Sequence, residues 1–111
     1  MAGLRLTANI LGYYHDHDGY SAHENDGFTI YISSCTRLNW MNSLMAWELD
    51  NLLQELRPRT INGSNMIIDD KDPGDVVNIL KRYGFVVTYH RTEVDIEEGI
   101  PTKFEYTMMK Y

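Results

Sequence analysis

The sequence predicts an α+β domain built on a single mixed, mostly antiparallel sheet, with elements in the order β-β-α-β-α-β-β. Three observations carry that prediction. Apolar residues alternate with polar ones near the N-terminus and again after residue 27, the period of a strand with one buried face. From Leu44 the apolar spacing changes to that of a helix. The segment "MIIDDKDPGDVVNILKRYGFVV" then writes a strand, a capped helix and a strand in succession. At 111 residues the chain has the usual size of one domain, and residues 1–111 are assigned to a single unit.

Leu4, Leu6, Ala8 and Ile10 alternate with Arg5, Thr7 and Asn9, while Phe28, Ile30 and Ile32 alternate with Thr29, Tyr31 and Ser33. These two runs predict an antiparallel hairpin. Its connection, residues 15–27, is longer than a hairpin needs and carries "HDHDGYSAHENDG". Met45, Leu49, Leu52, Leu53 and Leu56 form one helical stripe, with Asn42 or Ser43 able to cap its start and Pro58 to stop it. Asn62-Gly63 marks a turn before the short apolar run Met66-Ile67-Ile68, read as a buried strand. Asp72 is placed to cap the next helix, Pro73 fits its first position, Lys81 and Arg82 suit its negative end, and Gly84 suits a left-handed stop. Phe85 to His90 is rich in β-formers, Asp95 to Pro101 is an acidic loop, and Phe104, Tyr106 and Met108 alternate in a last strand. Because strand-helix-strand units cross over right-handed, Phe28–Ser33 and Met66–Asp70 are expected to be parallel or splayed neighbours.

The net charge is −6, with 43% hydrophobic and 23% charged residues. That sign repels a phosphate backbone and leaves no cationic cluster, so direct nucleic-acid binding is not expected. A basic protein partner suits it, including a nucleic-acid-binding protein whose groove the chain could occupy. No apolar run is long enough to span a bilayer, and Met1 to Leu6 does not read as a secretory signal, so no membrane association and a cytoplasmic location are expected. One cysteine, Cys35, excludes an internal disulfide and a multi-cysteine zinc cage. With no neighbouring histidine in sequence, it reads as a small buried hydrophobe rather than a nucleophile.

Residues 27–111 resemble the C-terminal half of the GNAT acetyltransferase superfamily. The resemblance rests on "MIIDDKDPGDVVNILKRYGFVV", similar to the family's strand and "LYEKLGF" helix end, and on "FEYTMMKY" as a terminal strand. It implies a truncated GNAT-like sheet. It also implies a pyrophosphate loop, Arg/Gln-x-x-Gly-x-Gly/Ala, whose backbone N–H groups hold the cofactor diphosphate. The matching stretch here is "TRLNWMNSLM": Arg37 stands at the basic position, but Trp40 and Asn42 fall where the glycines belong. No cofactor is therefore expected.

His15, His17 and His23, interleaved with Asp16, Asp18, Glu24 and Asp26, could supply metal ligands. The spacing matches no specific motif, and Asp18-Gly19 and Asn25-Asp26-Gly27 are turn formers, so a solvated hairpin tip is expected and no metal. Asp69, Asp70, Asp72 and Asp75 are explained by capping and solvation. No catalytic residues are assigned, and the sequence points away from an enzyme. Trp40 and Trp47, seven apart, read first as core on one helix side and second as exposed anchors. Eight tyrosines are many for this length, and aromatic anchors within acidic rims suit docking on a basic partner.

The expected function is a small acidic non-catalytic protein-interaction module, of the kind phages and other mobile elements encode to inhibit a host protein. The candidate partner-binding residues are Tyr13, Tyr14, Asp16, Asp18, Tyr20, Glu24, Asp26, Tyr31 and Trp40. Open sheet edges are also compatible with a homodimer. The alternative is an enzyme, either a divergent GNAT-like acyltransferase or a metal-dependent one using the His15–Asp26 loop.

Overall fold

A computed structural model of the chain describes residues 1–10, 27–97, 99 and 101–111. Strands β1 (Ala2–Ile10) and β2 (Phe28–Ser34) form the expected hairpin, paired from Leu4 opposite Ser34 to Ile10 opposite Phe28. A 3-10 turn (Trp40–Ser43) leads into α1 (Ala46–Leu56). Then come β3 (Thr60–Asn62), β4 (Asn65–Ile68), α2 (Pro73–Arg82), β5 (Val86–Val94) and β6 (Pro101–Lys110). The fold is α+β, with one six-stranded sheet in the order β3-β4-β2-β1-β6-β5.

Every pairing among the described strands is antiparallel. This corrects the expected parallel relation between Phe28–Ser33 and Met66–Asp70, and the cause is one small strand. Thr60–Asn62 is exposed and too short to show a period, so it escapes pattern reading. Yet it forms a hairpin with β4 through the two-residue turn Gly63-Ser64, one residue beyond the expected Asn62-Gly63, with Asn62 paired to Asn65 and Gly63 at φ +62°. The crossover from β2 therefore ends on β3 at the sheet edge, parallel to β2 but one strand away. The hairpin then returns β4 between them in the opposite sense.

Strand alternation puts Leu4, Leu6, Ala8, Ile30, Ile32, Met66, Ile68 and Met108 on one face, all buried. Both helices cover that face. Leu52 and Leu56 of α1 and Val76, Val77 and Leu80 of α2 join the strands in one cluster with Trp40 and Phe85.

The caps differ partly from expectation. Asn42 and Ser43 belong to the 3-10 turn, and α1 starts later, after extended Leu44 and Met45, with Glu48 Oε1 accepting the Met45 N–H at 3.0 Å. Arg57 takes the left-handed conformation at φ 49°, and Pro58 follows it. Asp72 does occupy the N-cap of α2, but its carbonyl, not its carboxylate, receives the N–H groups of Asp75 and Val76.

The α2 C-terminus explains "KRYGF" completely. Gly84 N–H donates to Lys81 O and Phe85 N–H to Leu80 O, with Gly84 at φ +97° and the Leu80 and Phe85 side chains both buried. That is a Schellman cap with its hydrophobic contact, a local device open to any helix that turns into a strand.

Both sheet edges are blunted. β3 has three residues, and β5 carries Arg91, Glu93 and register irregularities at Val87/Tyr89 and Glu93/Val94. Among the described residues no helix is long and apolar enough to cross a membrane.

Candidate interaction surface

The residues on the other side of the sheet are the odd-numbered ones of β1, β2 and β6 and their cross-strand partners. They form continuous rows. One runs Thr60, Ile67, Tyr31, Thr7, Glu105, Arg91 across all six strands; the next runs Ser33, Arg5, Thr107, Tyr89. No described element packs on this face.

Polar and aromatic groups alternate along it because β1, at the centre, writes Arg5, Thr7 and Asn9 between its buried residues. Tyr31 is 47% exposed and Tyr89 is 52% exposed. Arg5, exposed in the row of Tyr89 and beside that of Tyr31, has no ion-pair partner among the described residues. The neighbouring charges are paired within the sheet: Lys103 with Glu105 at 3.2 Å and Arg91 with Glu93 at 3.6 Å. A shallow depression of about 290 Å³ lies on the face, its lining including Arg5, Tyr89, Glu105 and Thr107. Tyr and Arg on a rigid sheet are the residue types that carry binding energy in protein interfaces. Tyr, with two χ angles, also loses little side-chain freedom on docking.

The structure sorts the sequence-predicted site residues unevenly. Tyr31 stands on the open face. Tyr13, Tyr14, Asp16, Asp18, Tyr20, Glu24 and Asp26, with His15, His17 and His23, lie outside the described residues.

Trp40 is a correction: it is 0% exposed and cannot be a docking anchor. Its indole N–H donates to Ser64 O at 3.0 Å, its backbone N–H donates to Ser34 Oγ at 3.0 Å, and its ring meets Phe85 edge-on at 5.8 Å. Trp47, by contrast, is 63% exposed.

Sequence reading missed Arg5 and Tyr89. The signal was present in the alternation itself, since Arg5 lies at an outward position of β1. Only the register brings Tyr89, from the far edge, into the same row.

Elsewhere the chemistry is structural. Cys35 is half-buried and has its Sγ 3.9 Å from Met109 Sδ. Among the described residues no three His, Cys, Asp or Glu side chains gather as a metal site. Asp69 pairs with Arg59. Glu55 of α1 receives Tyr83 Oη at 2.6 Å and also the Arg82 guanidinium, tying the two helices together. The tyrosine hydrogen bond, aided by Arg82 and opposed by desolvation, holds the Glu55 carboxyl below its ordinary value. The same bond raises the Tyr83 hydroxyl.

No protein-family model matches the chain, and no curated protein matches it. In fold it is similar to a conserved kinetoplastid-specific protein from Trypanosoma cruzi, known from a crystal structure. The TM-score is 0.56 at 11% identity, and the match covers 100% of both chains. A likeness at that identity establishes shared architecture.

Proposed function

We propose that the protein is a small, acidic, non-catalytic interaction module that docks on a basic protein through the helix-free face of its sheet. The observation that carries this reading is the placement of Arg5 in the row of Tyr89 and next to the row of Tyr31, on a sheet face that no described element covers. The net charge of −6 supports it, since it speeds encounter with a basic partner, while the tyrosines supply short-range affinity and Arg5 meets a carboxylate or aromatic group on that partner. In its most specific form the module is a phage or mobile-element inhibitor that occupies a nucleic-acid-binding host protein.

The test is affinity capture from native-host lysate with the wild type and with a Tyr31→Ala/Tyr89→Ala variant. Capture of a protein by the wild type, lost in the variant at unchanged melting temperature, supports the reading. Undiminished capture by the variant overturns the face assignment. A rise in melting temperature on adding acetyl-CoA would overturn the non-catalytic assignment, because a ligand bound only by the folded state stabilises it.

A further inference from the structure

The helix side of the molecule carries a second surface, and it goes beyond the sheet-face reading. The solvent stripe of α1 is Trp47, Asp50, Asn51 and Gln54, spaced i, i+3, i+4 and i+7. Asn51 and Gln54 continue from this stripe into an open groove of about 500 Å³ between α1 and α2, completed by Glu55, Arg82 and Tyr83. Trp47 stands one turn before Asn51 on the same stripe, outside the groove's own lining. Trp47 and the preceding Met45 are both exposed, and an indole offers a partner a large apolar body with a polar handle.

The charges along α1 do not balance. α1 contains Glu48, Asp50 and Glu55 and no Lys, Arg or His. Glu48 accepts the Met45 N–H, and Glu55 pairs with Arg82, the cation in the groove's lining among the described residues, with Lys71 also near enough to favour the Glu55 carboxylate. Asp50, exposed beside Trp47, has no ion-pair partner among the described residues. An aromatic face next to an unpaired carboxylate is one cation short.

We infer that the α1–α2 groove docks a basic segment of a partner protein, with an Arg or Lys seated between the Trp47 ring and the Asp50 carboxylate. The ring quadrupole attracts the cation, the carboxylate adds Coulomb attraction, and an apolar neighbour of that cation packs on exposed Met45, while the segment continues past Asn51 and Gln54 into the polar groove. Docking at this groove leaves the sheet face free.

The probe is a synthetic Arg/Leu-alternating peptide, with its Glu/Leu counterpart as control. Trp40 is buried, so a change in quenchable tryptophan emission reports on Trp47. The Arg/Leu peptide is expected to alter that emission saturably, less so at high salt, and the Glu/Leu peptide to leave it unchanged. Affinity measured by calorimetry should fall about tenfold or more in Trp47→Ala and in Asp50→Lys, a loss of about 1.4 kcal/mol in each. Glu93→Lys, an equal charge change on the opposite face of the sheet, should leave most of it. The Tyr31→Ala/Tyr89→Ala variant should bind the peptide normally, which separates failure here from failure of the sheet-face reading. Equal affinity for the two peptides, or undiminished binding by Trp47→Ala, would overturn the inference. So would Trp47-dependent self-association without peptide, which would give the groove to a second copy.

Discussion

Trp40 and Trp47 are the same residue type seven positions apart, and the fold treats them oppositely. Trp40 is sealed in the core at the corner where the chain leaves β2, with both of its N–H groups satisfied. Trp47 projects from the first turn of α1 into solvent. On one continuous helix, seven residues make nearly two turns, and the two rings would share a side. The chain breaks that phase: after the 3-10 turn, Leu44 (φ −103°, ψ 146°) and Met45 (φ −69°, ψ 157°) are extended, and α1 begins afresh at Ala46. Two extended residues suffice to make spacing uninformative about shared faces.

The largest expected effect tests the buried member. Trp40→Ala should cost about 3–5 kcal/mol, because it leaves a cavity and removes the indole hydrogen bond to Ser64 O. Urea denaturation would measure it, and a loss below about 1 kcal/mol would break the comparison.

Gly3→Ala comes next. Cys35 N–H donates to Gly3 O just before the corner, and a methyl at Gly3 would sit 2.4 Å from Met109 Sδ and 2.6 Å from Cys35 Sγ. The crowding should cost about 1–3 kcal/mol by the same measurement. Asn39→Ala removes the side-chain oxygen that caps the 3-10 turn by accepting the Met41 N–H at 2.9 Å. It should destabilise by about 1 kcal/mol. Trp47→Ala should lie within about 0.5 kcal/mol of wild type, as exposed substitutions do, while abolishing the iodide-quenchable part of the emission. A large stability loss there would erase the distinction between the two tryptophans.

A pH series sharpens the placement of α1 itself. The folded Glu55 carboxyl lies below its ordinary value, so its contribution is present above the unfolded-state value and is lost as pH falls through the folded one. The Tyr83 hydroxyl is raised, so its contribution is present below its unfolded-state value and is lost as pH rises through the folded one. Thermal melts of Glu55→Gln should show less acid sensitivity than wild type and a stability deficit smaller than that of Trp40→Ala. Unchanged acid sensitivity would show that this tie between helices adds nothing.

Much of the architecture was legible because local physics wrote it. The alternation in Ala2–Ile10 and Phe28–Ser34, the helical stripe through Leu49, Leu52 and Leu56, and the Pro73 start and Gly84 stop of α2 need only near neighbours to be understood. The antiparallel sense of β4 was not legible, since it turns on Thr60–Asn62, three exposed residues without a pattern of their own. The candidate interface was half legible: Arg5 and Tyr31 face outward by alternation, whereas Tyr89 joins them only through pairing across β6.

The sequence by itself determined which residues turn inward along each strand and helix, because a period of two or of 3.6 is a property of consecutive residues. Only the tertiary structure decided which of two tryptophans is buried and which side chains share a row on the sheet. Both depend on where distant segments meet, and contacts between residues far apart in the chain leave no period in the sequence to read.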